Sequence, residues 1–513
     1  MKIYSKEQIY EADKNTLAKE SIESINLMER AGGYAFQWIH KRLNGGPVKI
    51  KIFCGIGNNG GDGLVIARNL IEYGYEVTTY VVNYSDKRSA DFLKAYDSLK
   101  NKAKDWPILI KSEDDFPSIN ADDLVIDALF GIGYNRPANK WVQNIFDRIN
   151  KSRAYILSID MASGLYMDAI PAEDEIVIHP TMVLTFQTPK LIFFLPQTGK
   201  YVQNWEVLDI GLDKEYLTKT ETDVELINKT EARQMYKHRE KYTHKGTYGH
   251  SVIVGGSYGK MGAVILSSSA CLRSGSGLVT AYIPQFGVNI LQTALPEVMV
   301  ATDKQNGKCF EEIDFDFDAD VIGIGIGMGT EMDTVRAFKS FLTKNEKPLV
   351  IDADGLNILA KNPKFLELLP KETILTPHPK ELQRLIGEWK DDFDKLKKTA
   401  QFAKDHNLIV VLKGAHTITI QDFKFYINNT GNPGMATGGA GDVLTGVITG
   451  LLSQKYNPLE AAIFGVYLHG KAGDIAVNQT SYEGLTAGDI VQFLGKAYLD
   501  LFAQENPEQQ KGN

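Results

Sequence analysis

Cysteine is scarce: Cys54, Cys271 and Cys309 are the only three in 513 residues, and no two of them form a CxxC pair. So sparse and odd a set argues against a disulfide framework or a structural zinc site and for a reducing compartment, so a cytoplasmic protein is expected. Concentrated positive charge is lacking too. The net charge is −8 and no basic stripe is present to track a phosphate backbone, so nucleic acid is not an expected partner. Long apolar runs are missing: none reaches the roughly 18–20 residues that a membrane helix needs. The opening MKIYSKEQIYEADKN alternates charge and has no apolar segment of the signal-peptide kind. Internal repeats and low-complexity tracts are absent as well.

What is present is a globular composition, 43% hydrophobic and 10% aromatic, on a chain too long for one core. β-rich runs alternate with helical patterns: VKIKIFCGIG, GLVIARNLIEYG, YEVTTYVVN, SADFLKAYDSLK, DLVIDALFGIG, NKWVQNIFDRIN and AYILSIDMASG. This predicts parallel β-α-β units, an α/β fold with a sheet covered on both faces. MVLTFQTPKLIFFLP, β-rich and interrupted by Pro, follows, and then the polar stretch GLDKEYLTKTETDVELINKTEARQ. Alternation restarts at SVIVGGS and ends in long helical runs. The predicted division is one domain over 1–220, a second over 221–505 and a solvated tail over 506–513. The run KDDFDKLKKTAQFAKDHN reads as a solvated amphipathic helix, with Phe393, Leu396, Ala400 and Phe402 available to the core.

In the second half, NPGMATGGAGDVLTG sets a helix behind glycines and an aspartate. One polar cap would satisfy the free N–H groups of a helix start, so clustered glycines suggest a ligand close to the main chain. An anion suits the unpaired amides and the positive dipole end. Asp442 is then placed to take a proton from an attacking hydroxyl while its own charge is stabilised by the dipole; the alternative is an ordinary cap after a flexible turn. Other glycine-rich or ligand-like turns follow predicted strands. TPHPKE carries His378, KGAHT carries Lys413, GIGIGMG carries Gly327, and KGTYGHSVIVGGSYGKMGAV precedes a helix.

Taken together, KGTYGHSVIVGGS, GIGIGMG, TPHPKE, KGAHT and GGAGD resemble the NAD(P)H-hydrate dehydratase branch of the ribokinase-like superfamily. The resemblance implies a ribokinase-like αβα domain that dehydrates hydrated NAD(P)H at the expense of a nucleotide. It implies ADP, as in bacterial single-chain fusions, with Mg2+ at the site. Matched motif by motif, Lys413, Gly414, Ala415, His416, Thr417 and Gly441 contact the nucleotide. Ala263, Gly327, His378 and Asp442 line the hydrate, with Asp442 as base.

In the first half, CGIGNNGGDG has the strand–turn–helix setting of a phosphate-binding turn. DALFGIG and DMASG each put an acid, Asp127 and Asp160, at a strand end, so all three motifs should share one rim of the sheet. With LMERAG, read as part of the first helical segment, and TFQTPK, these motifs resemble the NAD(P)H-hydrate epimerase family, a Rossmann-like three-layer domain that binds K+. The resemblance implies Asn59, Asp127 and Ser163 as oxygen ligands of that ion. It implies Asn58, Asn59, Gly60, Gly61, Asp62, Gly131, Ile132, Gly133, Tyr134, Asn135, Arg136, Pro137 and Asp160 as hydrate-binding residues, and Asp160 with Lys190 as the acid/base pair. Ala162 stands where the family usually has Pro. An isolated Lys190 would otherwise read as a solvated lysine, and Cys54 as a small core residue.

The hydrate's hydroxyl sits on a carbon beside the ring nitrogen, so that centre can invert by reversible ring opening or loss of hydroxide. A positioned acid/base pair accelerates both. Small-molecule substrates, NADHX or NADPHX with ADP, and a homo-oligomer are expected. Two rivals remain open: an ATP-dependent vitamin or sugar kinase, and a dehydratase fused to a non-catalytic N-terminal binding domain.

Overall fold

The computed structural model describes residues 1–103, 105–303 and 307–504. It divides into two compact units, Lys2–Thr222 and Asp223–Asn513 with Met1. The expected tail over 506–513 lies outside the described residues.

The N-terminal unit is built on a parallel sheet whose strands lie in the spatial order Ile108–Ile110, Glu76–Val82, Lys49–Cys54, Leu124–Ala128, Tyr155–Ile159, Met182–Phe186, Trp205–Leu208. Chain order reverses between Lys49–Cys54 and Leu124–Ala128. This is the switch point at which doubly wound sheets open a crevice at their carboxyl ends. All five residues of Leu124–Ala128 are buried, as expected of a strand covered on both faces. Alternate side chains feed two cores. Ile50, Ile52, Cys54 and Ile126 pack under the helices Ser24–Leu43 and Asn58–Glu72, while Phe53 and Val125 pack with Ile145 and Phe146 of Lys140–Lys151. The helix that follows Lys49–Cys54 starts so close to the strand that Gly60 tolerates no side chain: a Cβ there would lie 2.0 Å from the Gly55 carbonyl oxygen.

The first helix of the chain is Lys6–Glu20, started by a Ser5–Gln8 capping box. LMERAG lies in the second helix, Ser24–Leu43, which corrects the reading of it as part of the first helical segment. The sequence reading missed Lys6–Glu20 because its apolar stripe, Ile9, Ala12 and Leu17, is thin and interrupted by charge.

In the C-terminal unit the strands run in the order Val224–Ile227, Lys424–Asn428, Ile418–Gln421, Leu408–Leu412, Thr373–Leu375, Leu349–Ile351, Val321–Ile326, His250–Gly255, Leu278–Ile283, Met299–Thr302. Ile418–Gln421 is antiparallel to both neighbours. Helices Met261–Arg273, Ala440–Ser453, Pro458–Thr480 and Ala487–Asp500 cover one face; Met332–Lys344 and Asp354–Lys361 help cover the other. The helix Asp392–Asp405 buries Leu396 and Ala400 as expected, but it also buries Asp392 and Lys395, paired at 2.5 Å, and so is less solvated than its charge suggests.

Candidate functional site

At the N-terminal switch point a cavity of about 880 Å³ opens. Asn58, Asn59 and Asp62 reach it from the start of the helix Asn58–Glu72, and Gly131 to Pro137 from the loop after Leu124–Ala128. Asp160 reaches it from the residue after Tyr155–Ile159, and Lys190 from beyond Met182–Phe186. Four separate segments thus deliver these side chains to one rim. Gly60 and Gly61 are buried in that helix start.

Lys190 is no solvated lysine. It is 1% exposed, and its ammonium lies 2.9 Å from Asp160 Oδ1, 2.7 Å from Thr185 Oγ1, 3.0 Å from the Phe186 carbonyl and 3.1 Å from the Thr188 carbonyl. Asp160 adopts φ 65°, a left-handed conformation that costs a non-glycine residue about 1–2 kcal/mol and that often marks a functional position. Its Oδ1 also accepts the Phe186 N–H at 3.3 Å. A Cβ on Gly131 would come within 3.2 Å of Asp160 Oδ2 and 3.1 Å of Asn59 Oδ1, so both oxygens face that glycine.

Asp127 is fully buried below this rim and is absent from the cavity wall. Its carboxylate accepts from Ser158 Oγ and Ser163 Oγ at 2.6 Å, Ser163 N at 3.0 Å and Leu129 N at 3.2 Å. Burial pushes its pKa up, against the pull of those donors. By contrast, the buried amide of Asn59 has no hydrogen-bond partner at either Oδ1 or Nδ2. An orphaned carboxamide is costly unless something outside the chain satisfies it. Sequence reasoning missed Asp13, which lines the cavity from the helix Lys6–Glu20. Burial first and the Asp160 charge second push its pKa to about 6.

In the C-terminal unit His378 caps the helix Pro379–Ile386. Its Nδ1 accepts from Lys380 N at 3.1 Å and Glu381 N at 3.4 Å, which leaves the neutral ring's hydrogen on Nε2. Burial and the Lys413 and Arg384 charges depress its pKa, so the ring stays neutral. Lys413 follows the strand Leu408–Leu412 and bonds Asp352 Oδ1 at 2.8 Å, with Glu381 at 3.9 Å. A Cβ on Gly441 would lie 3.2 Å from Lys413 Nζ, which puts the ammonium against the GGAGD turn. Thr417 Oγ1 closes the KGAHT loop by donating to the Gly414 carbonyl at 3.1 Å, and Gly414 and Ala415 are exposed. His416 Nδ1 lies 3.0 Å from the Asn428 carbonyl. Gly327, at φ 58°, would hold a Cβ 3.5 Å from Ala263 Cβ, so these two candidates also adjoin.

Asp442 lies in the first turn of Ala440–Ser453, and its carboxylate has no hydrogen bond among the described residues. Its dipole-stabilised charge was the expectation, yet its pKa is pushed up to about 6, by burial first and then by Asp352, Asp354 and Glu381. The dipole is outweighed by desolvation and by three neighbouring acids. Asp352, another residue missed from sequence, is 1% exposed and takes Lys413 on one oxygen and Thr445 Oγ1 on the other, each at 2.8 Å. A cavity of about 600 Å³ opens beside Asp354, Asn357 and Arg384; none of the expected C-terminal site residues lines it.

Two family models match the chain: one described as a YjeF-related protein N-terminus over residues 24–192, the other as NAD(P)H-hydrate dehydratase over 251–496. A bifunctional NAD(P)H-hydrate repair enzyme from Moorella thermoacetica is 35% identical over 94% of this chain and 94% of its own. The chain belongs to the bifunctional NAD(P)H-hydrate repair enzyme family. The repair enzyme of Coxiella burnetii is 32% identical over 96% of this chain and 98% of its own. A ribokinase-like superfamily protein from Enterococcus faecalis is 28% identical, covering 55% of this chain and 98% of its own, with a TM-score of 0.49.

As a member of that family the chain is an enzyme with an epimerase half and a dehydratase half, and each half carries one of the two constellations above. No helix among the described residues is long and apolar enough to cross a membrane.

Proposed function

We propose that the N-terminal half interconverts the R and S forms of NAD(P)H hydrate and that the C-terminal half dehydrates the S form with ADP, giving NAD(P)H, AMP and phosphate. The observation that carries the dehydratase reading is the free carboxylate of Asp442 one residue beyond a glycine against which Lys413 Nζ rests. Asp442 takes the proton of the bound hydroxyl as its oxygen attacks the terminal phosphorus of ADP, and the bond to AMP breaks. The amides of Gly441 and the loop from Lys413 to Thr417 hold the nucleotide, and Lys413 offsets the charge that develops. The new phosphate ester then leaves with its C–O electron pair while the ring nitrogen forms a double bond to carbon. Loss of a proton from the adjacent carbon restores the dihydronicotinamide. Ala263, Gly327 and the neutral His378 line the hydrate.

In the epimerase half, the turn Asn58–Asp62, the loop Gly131–Pro137 and Asp160 bind the hydrate, and proton transfer at its hydroxyl centres on the Asp160–Lys190 pair. Asn59, with its orphaned amide oxygen, fits a hard cation such as K+, as do the oxygens of Asp127 and Ser163. That ion would supply fixed positive charge beside the substrate. Mg2+ would be carried mainly on the nucleotide phosphates, which asks for few ligands from the protein.

The test is incubation of the full chain with each purified hydrate isomer and ADP or ATP, following dihydronicotinamide absorbance and phosphate release. Recovery of absorbance with free phosphate supports the reading. A stable phosphorylated product would convert it to a vitamin or sugar kinase, and recovery of the S isomer alone would make the N-terminal half a binding domain. A cytoplasmic location and homo-oligomeric assembly complete the proposal; size-exclusion chromatography with light scattering reports the second.

A further inference from the structure

The epimerase reading leaves a proton unaccounted for. An ammonium has three hydrogens, and that of Lys190 has four oxygen acceptors within 3.1 Å while being 1% exposed. It has no hydrogen left to give a substrate. Asp160 is the partner of that ammonium and so is held as a carboxylate, able to accept a proton at the reacting hydroxyl but not to supply one. Inversion by loss of the hydroxyl needs both, because the oxygen leaves protonated and returns as water that loses a proton.

Besides Asp160 the cavity wall carries Asp13, Asp62 and Asp91; burial first and neighbouring acids second lift Asp62 well above the carboxylate range, and Asp13 is the one poised to exchange its proton. Ile9, Asp13 and Leu17 recur every four residues along Lys6–Glu20, so they form one stripe, and all three line the cavity. Asp13 accepts no hydrogen bond from any described residue, unlike Asp160 and Asp127. The charged and titratable groups that face it are Asp160, Lys190, Asp62 and Tyr10. Two of these are carboxyls and the only cation is already neutralised by Asp160, so a proton on Asp13 is favoured by its surroundings. Its pKa near 6 agrees with this arrangement and suits a group that must exchange protons near neutrality.

We propose that Asp13 is the general acid of epimerisation, acting opposite the Asp160 carboxylate that Lys190 fixes in place. This rests on the epimerase reading of the cavity. The Asp13 carboxyl gives its proton to the hydroxyl, the C–O bond breaks with its pair going to the departing water, and the ring nitrogen's lone pair closes a double bond to the carbon. Water then adds to the other face, its oxygen pair forming the new C–O bond. Its surplus proton goes to Asp160 and from there, through solvent in the cavity, back to Asp13, so the site returns to its starting state with no oxidant or reductant consumed.

The experiment measures isomer interconversion by the full chain with no nucleotide present, using purified single isomers separated chromatographically. Asp13→Asn is expected to lower kcat by about 10²-fold or more with KM changed little, and Asp13→Glu to recover part of the rate. In the wild type the rate should fall as pH rises above about 6, and that limb should vanish from the residual rate of Asp13→Asn. A wild type that interconverts isomers beside an equally fast, folded Asp13→Asn overturns the assignment of Asp13 alone. A wild type that interconverts nothing overturns the epimerase reading beneath it. Should Asp13→Asn fail to fold, the wild-type profile decides: a rate that does not decline on the alkaline side overturns the proposal.

Discussion

Each half of the molecule sets an Asp–Lys pair with a buried aspartate beside a carboxyl that accepts no hydrogen bond from any described residue. In the N-terminal half these are Asp160–Lys190, at 2.9 Å, and Asp13; in the C-terminal half, Asp352–Lys413, at 2.8 Å, and Asp442. Both free carboxyls are pushed to about 6 by burial and a neighbouring acid. The lysines differ. Lys190 is sealed in with every hydrogen engaged, whereas the Lys413 side chain is 20% exposed and makes one hydrogen bond from Nζ, at the edge of a glycine turn. One lysine is an anchor and the other a ligand in waiting. In the function proposed above the same pair of residue types serves two chemistries: inversion uses a fixed charge that stays with its carboxylate, and phosphoryl transfer a cation free to turn toward an incoming phosphate.

Removing the C-terminal free carboxyl should have the largest effect. Asp442→Asn is expected to lower the dehydration kcat by about 10²- to 10⁴-fold with nucleotide binding retained, because it deletes the base and leaves the turn intact. In the wild type this activity should rise as pH passes through about 6, opposite in sign to epimerisation, since a base must lose its proton and an acid must keep it. A folded variant that dehydrates at the wild-type rate would sink the role of Asp442. Next comes the anchor. Lys190→Met strands a buried Asp160 charge, and breaking such a pair costs about 3–5 kcal/mol. Urea unfolding at pH 7 should reveal that loss, and an unchanged midpoint would mean that Lys190 is not the structural partner its contacts imply. Lys413→Met also strands a buried carboxylate, that of Asp352, and so costs stability as well; what sets it apart is an added loss in binding. Lys413→Met is expected to raise the nucleotide KM about 10- to 100-fold, the worth of one charge-assisted hydrogen bond. If KM held steady while stability fell, the contrast between the two lysines would collapse.

Much of this was readable from sequence wherever the signal is local. Strand, glycine turn and helix follow one another within a few residues at GNNGGDG, and GGAGD opens the helix Ala440–Ser453, so both glycine turns and the strand-end place of the first could be anticipated. Ligation by residues on different strands is not local. Lys190 looks like any surface lysine until Thr185, Phe186 and Thr188 curl around its ammonium and Asp160 arrives from 30 positions away. Asp352, inside VIDADGL, is indistinguishable from a loop aspartate before Lys413 and Thr445 converge on it from 61 and 93 positions away. Asp13 was hidden because EADKN reads as solvated charge; only the i, i+4, i+8 spacing of Ile9, Asp13 and Leu17 could have flagged it, and that stripe is short. The strain at Asp160, φ 65°, left no trace in composition at all.

The smallest effect tests whether catalysis and stability are opposed at these carboxyls. The native Asp442 titrates near 6 and an ordinary carboxyl at 3.8, so the folded state binds the proton more tightly than the unfolded chain does. Stability is then full below about 4, falls as pH rises to about 6, and stays lowered above that. A shift of this size corresponds to about 3 kcal/mol, and partial exposure of the group reduces it to roughly 1–2 kcal/mol. Asp442→Asn carries no charge to desolvate, so at pH 8 it should be more stable than wild type by that amount, with the difference fading toward pH 4. Urea unfolding at several pH values measures it. A variant that lost activity and stability together at pH 8 would point to a disrupted turn, whereas loss of activity with gain of stability is the mark of a carboxyl kept in an unfavourable place because the reaction needs it there.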